Sequence, residues 1–94
     1  MIFEWDESKN RSNLAKHKVS FEAATLAFED PRAIDLLDRV DDGEQRWHTL
    51  GLAAGLALLL VVHTYRAECG IERIRIISAR KATLHERKIY EEGL

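Results

Sequence analysis

The chain has 94 residues, 46% hydrophobic and 32% charged, and 14 Lys and Arg stand against 16 Asp and Glu for a formal net charge of −2. That length suits one domain spanning 1–94 with a thin core, and one Pro with five Gly argues against a low-complexity chain. The near-neutral balance argues against a uniformly basic nucleic-acid binder. One cysteine, Cys69, excludes an internal disulfide framework and a Cys-rich zinc site. The acidic start MIFEWDESK does not read as a secretory signal, and the apolar run Leu56 to Val62 is too short for a membrane span. A soluble cytoplasmic protein without membrane contact is therefore expected.

The charge is unevenly spread. Residues 1–21 carry +1, 22–44 carry −6, 45–65 carry +1 and 66–94 carry +2. The acidic stretch Asp35, Asp38, Asp41, Asp42 and Glu44 is expected to line a solvated loop, the alternative being an acidic surface for a basic partner or one that tunes binding to RNA.

In chain order, Ile2, Phe3 and Trp5 predict a short edge strand. Asp6 is a good N-cap for a helix over Glu7 to His17, which is nearly all polar. Lys9, Asn13, Lys16 and His17 share one face of it. Such a polar helix is either well solvated or a working surface. Ser20 caps a second helix carrying the apolar stripe Phe21, Ala24, Thr25 and Phe28, and Asp30-Pro31 stops it. Ala33 to Leu37 is a candidate short strand, and Asp41-Asp42-Gly43 marks a turn. A meander follows: Arg46 to Leu52, then the continuous apolar strand Leu56 to Thr64, then Ile71 to Ala79. In the last, Ile71, Arg73 and Arg75 share one face, and Glu72, Ile74, Ile76 and Ser78 share the other. A helix from about Arg80 to Glu91 closes the chain. The expected architecture is α+β, β-α-α-β-β-β-α, an antiparallel sheet packed by helices.

No metal site is expected, because His17, His48, His63 and His85 share no ligand spacing. No phosphate loop occurs either, since Gly51 to Gly55 lacks the Lys and Ser/Thr of a P-loop. Arg66 follows the buried strand and Arg80 follows the last one. Whether they converge depends on register.

Three motifs occur in order. They are Phe3-Glu-Trp5-Asp6-Glu-Ser-Lys9 with Asn13-Leu-Ala-Lys16-His17-Lys-Val19-Ser20-Phe21-Glu22; Glu44-Gln-Arg46 with Leu50-Gly51 and Leu60 to Arg66; and Arg75-Ile-Ile-Ser78-Ala79-Arg80-Lys-Ala82-Thr83 with Glu86-Arg87 and Tyr90. With these the whole chain resembles the BrnT family, toxins of type II toxin–antitoxin modules with a RelE-like ribonuclease fold. The resemblance implies a metal-free, cofactor-free endoribonuclease acting on mRNA. It also implies a BrnA-type antitoxin as partner, with operator DNA reached only through that antitoxin. In such cleavage the ribose 2′-oxygen attacks phosphorus and charge builds on the phosphoryl oxygens, which ordered arginines stabilise. On that basis Arg66 and Arg80 are assigned to the phosphate. Lys16 or His17 serves as acid or base, Tyr90 as a substrate contact, and Lys9, Arg46 and Arg87 as RNA-backbone contacts. Glu86, six residues from Arg80, is expected to pair with Arg87 or Lys88. The competing reading is a non-catalytic module that binds a protein or nucleic acid.

Overall fold

The computed structural model describes residues 1–93. Strand β1 (Ile2–Glu4) leads into α1 (Glu7–His17), α2 (Phe21–Thr25) and a 3₁₀ turn (Leu26–Glu29). Strands β2 (Ile34–Asp41), β3 (Glu44–Ala53), β4 (Ala57–Glu68) and β5 (Ile71–Lys81) follow, and α3 (Leu84–Glu92) ends the described chain. Local chemistry sets these boundaries. The Asp6 carboxylate accepts the Ser8 and Lys9 amides, and the Ser20 hydroxyl accepts the Ala23 amide, so each helix starts where its cap stands. Two hairpins turn on Asp42-Gly43 and Cys69-Gly70, where all four residues have positive φ.

The sheet runs β1-β5-β4-β3-β2, five strands where the expected β-α-α-β-β-β-α has four, because Ile34–Asp41 pairs with β3 as a full strand. It is mixed, not antiparallel as expected, because β1 lies parallel to β5 while every other pair is antiparallel. Hairpins force antiparallel neighbours, but β1 reaches β5 through the whole chain and no turn dictates its sense. Three further expectations change. The acidic stretch is not a loop: Asp35, Asp38 and Asp41 lie in β2, and Glu44 opens β3. Strand β5 runs on to Lys81, so Arg80 does not open the last helix. That helix starts after Thr83, whose hydroxyl and the Glu86 side chain form a capping box.

The two sheet faces are covered unequally. Phe21, Ala24 and Ala27 from the helical arm pack on Leu59, Val61, Ile74, Ile76 and Ala79. On the opposite face Tyr90 and Ile89 of α3 pack over Leu50, Leu58 and Leu60 at one end only. The 3₁₀ turn presses on β3 so closely that a Cβ at Gly51 would stand 2.3 Å from the Ala27 carbonyl oxygen. Gly51→Ala should therefore cost about 2–3 kcal/mol through a forced backbone shift. Urea unfolding checks this, and a loss below about 0.5 kcal/mol would show that the turn simply moves aside.

Helix α1 is polar because its buried face is made of asparagines. Asn13 Nδ2 donates to the carbonyls of Val19 and Ala79, both at 2.8 Å, and its Oδ1 accepts the Ala79 amide at 3.2 Å. Asn10 Oδ1 accepts the Phe21 amide at 2.7 Å. The face read as a possible working surface is thus partly a structural clamp.

Candidate nucleic-acid interface

Register decides which arginines meet. Arg66 pairs with Arg73, and Leu60 with Arg80. Arg66 and Arg80 therefore stand six residues apart along β4, about 20 Å, and do not converge on one phosphate. Each also has its own carboxylate. Arg66 Nε lies 2.9 Å from Glu68, and a second nitrogen is 4.0 Å from Glu4. Arg80 makes a two-pronged pair with Glu86 at 2.8 and 2.9 Å, not the pairing of Glu86 with Arg87 or Lys88 that a helical Arg80 implied.

What does converge is a set of arginines on the open part of the sheet, opposite α1 and α2. Arg46 pairs with Thr64, and Thr64 with Arg75, so three adjacent strands put Arg46, Thr64 and Arg75 in one row. The Arg66–Arg73 pair lies one step further along the same face. Among the described residues, Arg46, Arg73 and Arg75 form no ion pair, and Arg46 Nε is buried without a hydrogen-bond partner.

Two irregularities assemble the rest of this face. Val62 pairs with Ser78 but His63 with Ile76, so Ile77 is an extra residue in β5. Without that bulge strict alternation would send Ser78 and Arg80 to the helical side. With it they share the arginine face, which corrects the placing of Ser78 opposite Arg75. A similar bulge at Asp38 brings Arg39 beside Arg46. His48, two residues beyond Arg46, points to the same face, and its Nε2 lies 3.8 Å from Asp38. Sequence reasoning passed over Arg73, Arg75 and His48 as functional residues. The alternation of Arg73 and Arg75, already noted, was the available signal for the first two.

The other candidates sit elsewhere. Lys9, Lys16 and His17 belong to α1, with His17 one turn beyond the Asn13 clamp. Arg87 is exposed on α3. Tyr90 is buried, and its hydroxyl donates to Asp30 at 2.5 Å, which ties α3 to the end of the helical arm. Burial opposes the Asp30 charge, but the Leu52 amide and the Tyr90 hydroxyl hold its carboxyl below the usual range. The same bond pushes the Tyr90 phenol upward. Among the described residues no group of three His, Cys, Asp or Glu is placed to hold a metal ion, and no helix is long and apolar enough to cross a membrane.

The family described as "Ribonuclease toxin, BrnT, of type II toxin-antitoxin system" matches residues 5–86. The chain belongs to the BrnT family. The crystal structure of the Brucella abortus ribonuclease toxin, BrnT, is similar at a TM-score of 0.66 and 30% identity, covering 88% of this chain and 99% of that one. Comparison with curated proteins gave no match. The BrnT motifs in this chain therefore carry a real relationship, with the arginine face built from the second and third of them.

The Arg80–Glu86 pair makes a measurable prediction. The Arg80 guanidinium, opposed by partial burial, holds the Glu86 carboxyl down at about 2, against 4.5 for a free glutamate. A depressed carboxyl stabilises the fold fully above its unfolded value and loses that contribution as pH falls through the native one. Wild type should thus exceed Glu86→Gln by about 1–2 kcal/mol at neutral pH, after solvent screening, with the gap closing between pH 5 and pH 2. Thermal unfolding of both across that range tests it. A gap independent of pH would mean the pair contributes nothing through charge.

Proposed function

We propose that this chain is a metal-independent endoribonuclease toxin with a RelE-like fold, which cleaves mRNA and so arrests translation. A BrnA-type antitoxin neutralises it, and operator DNA is contacted only through that antitoxin. The observation that carries this reading is the row of Arg46 and Arg75 flanking Thr64, with Arg73 alongside, unpaired on an open sheet face.

Arginines without carboxylate partners are free to hold phosphate in two-pronged fashion. Already fixed on strands, they stabilise the charge that develops on the phosphoryl oxygens with little reorganisation. His48 beside Arg46 is the group that exchanges the proton with the ribose 2′-oxygen or the leaving 5′-oxygen. An imidazole held there can pass that proton, and such transfer is worth about 10²–10⁴ in rate. Arg66 and Arg80, held by their own acids, contact neighbouring phosphates of the strand, as does Arg87 further out, whereas Lys9, Lys16 and His17 stand on α1 across the sheet and take no part in that contact. Tyr90 holds α3 in place and does not touch substrate.

Incubating the purified protein with single-stranded RNA in excess EDTA tests the proposal. Cleavage products are expected. Tight binding without product would replace the nuclease by a binding module.

A further inference from the structure

The sheet face that carries α1 and α2 is not covered to its end. Beyond Phe28, which packs edge-on against His63 at 4.9 Å and against Phe3 at 5.1 Å, the surface opens into a hollow of about 330 Å³. Asp35, Trp47, Thr49, His63, Tyr65 and Glu72 are among the residues that line it, and no Lys or Arg does. This hollow lies on the reverse of the arginine face, since Trp47 and His63 alternate with Arg46, His48 and Thr64 along their strands.

A hydrogen-bonded chain crosses the floor. Thr49 donates its one hydroxyl proton to Asp35 at 2.6 Å, so at 2.7 Å it accepts from His63 Nε2–H. Burial holds the His63 imidazole below its ordinary range, against the opposing pull of the Thr64 carbonyl and the Asp35 charge. What remains is negative. Asp35 stands at one end and Glu72, which accepts the Tyr65 hydroxyl at 2.9 Å, at the other. Each carboxylate keeps free lone pairs after its single bond. Between them lie the Trp47 and Tyr65 rings, and Leu37 and Val40, both about half exposed, extend the apolar rim. Their rows lie six residues apart along β4, at Val61 and Ala67, or about 20 Å.

We infer that this hollow seats a segment of a partner protein that is apolar in the middle and carries an Arg or Lys toward each end. Carboxylates beside aromatic faces attract guanidinium and ammonium groups, and a lining with two acids and neither Lys nor Arg disfavours phosphate. An extended segment covers about 20 Å in six residue steps, which matches the separation of the two acids. That this partner is the antitoxin rests on the function proposed above, whereas the seat for a basic segment does not. An antitoxin held here would grip the toxin from behind and leave the arginine face to be closed by another part of the same chain.

A probe peptide, acetyl-Arg-Ala-Leu-Ala-Leu-Ala-Arg-amide, tests the site against a twin with both arginines replaced by uncharged citrulline. NMR titration of the whole protein should show saturable shifts of the Trp47 indole N–H. The twin should bind about tenfold more weakly, and the Asp35→Asn, Glu72→Gln double variant should lose the same factor while cleaving RNA like wild type. Equal binding of the twin, shifts centred on Arg46 and Arg75, or displacement of the peptide from Trp47 by a mononucleotide would each overturn the inference. Peptide binding by a protein that cuts no RNA would leave the seat standing and remove the nuclease.

Discussion

Arg75→Ala should lower the single-turnover rate of RNA cleavage by about 10²–10³-fold, and Arg46→Ala by a similar factor. Both flank Thr64 on adjacent strands, and neither has an acid to leave unpaired when it is removed. The loss is therefore expected in the chemical step, with little change in stability. Arg66→Ala and Arg80→Ala give the contrast. Removing Arg80 strands the Glu86 carboxylate, so that variant should lose stability, while its cleavage rate at equal folded protein falls by about tenfold or less. Rates corrected for folded fraction decide the matter. If Arg80→Ala proves far slower than Arg75→Ala, the reacting phosphate sits at the α3 end of the sheet and the proposed row is wrong.

Asn13→Ala should destabilise the protein by about 3–4 kcal/mol, because it breaks three buried bonds at once and leaves backbone groups without partners. The reason lies in the edge of the sheet. β1 pairs with β5 only over Arg73 to Arg75, so the outer edge of β5 at Ala79 has no neighbouring strand. The Asn13 amide takes that place, donating to the Ala79 carbonyl and accepting its amide as a strand would. For a domain of this size the midpoint should fall by about 12–25 °C. Thermal melts monitored by circular dichroism measure it, and a drop under about 5 °C would show that water replaces the clamp.

These two residues also show what could be read in advance. Spacing puts Asn13 on one stripe of α1 with Lys9, Lys16 and His17, the pattern of a solvated or working surface. Nothing local reveals that a polar side chain will meet a strand edge 66 residues away. Alternation puts Arg75 on the same strand face as Arg73, whereas Arg66 and Arg80 take the phosphate role only through the family resemblance. The bulge at Ile77 carries no turn-forming residue to announce it, and it alone turns Arg80 toward the arginine face.

Local side chains set the caps at Asp6 and Ser20, the stop at Asp30-Pro31 and the turns at Asp42-Gly43 and Cys69-Gly70, and the BrnT motifs are likewise legible along the chain. Each depends on side chains within a few residues of the backbone they direct. The parallel pairing of β1 with β5, the row of Arg46 with Arg75, and the Asp35–Thr49–His63 chain behind it emerge only in the assembled sheet. Those depend on which strands become neighbours and in what register. Register follows from burying the apolar residues of both faces at once, a condition on the whole sheet that no short stretch of sequence contains.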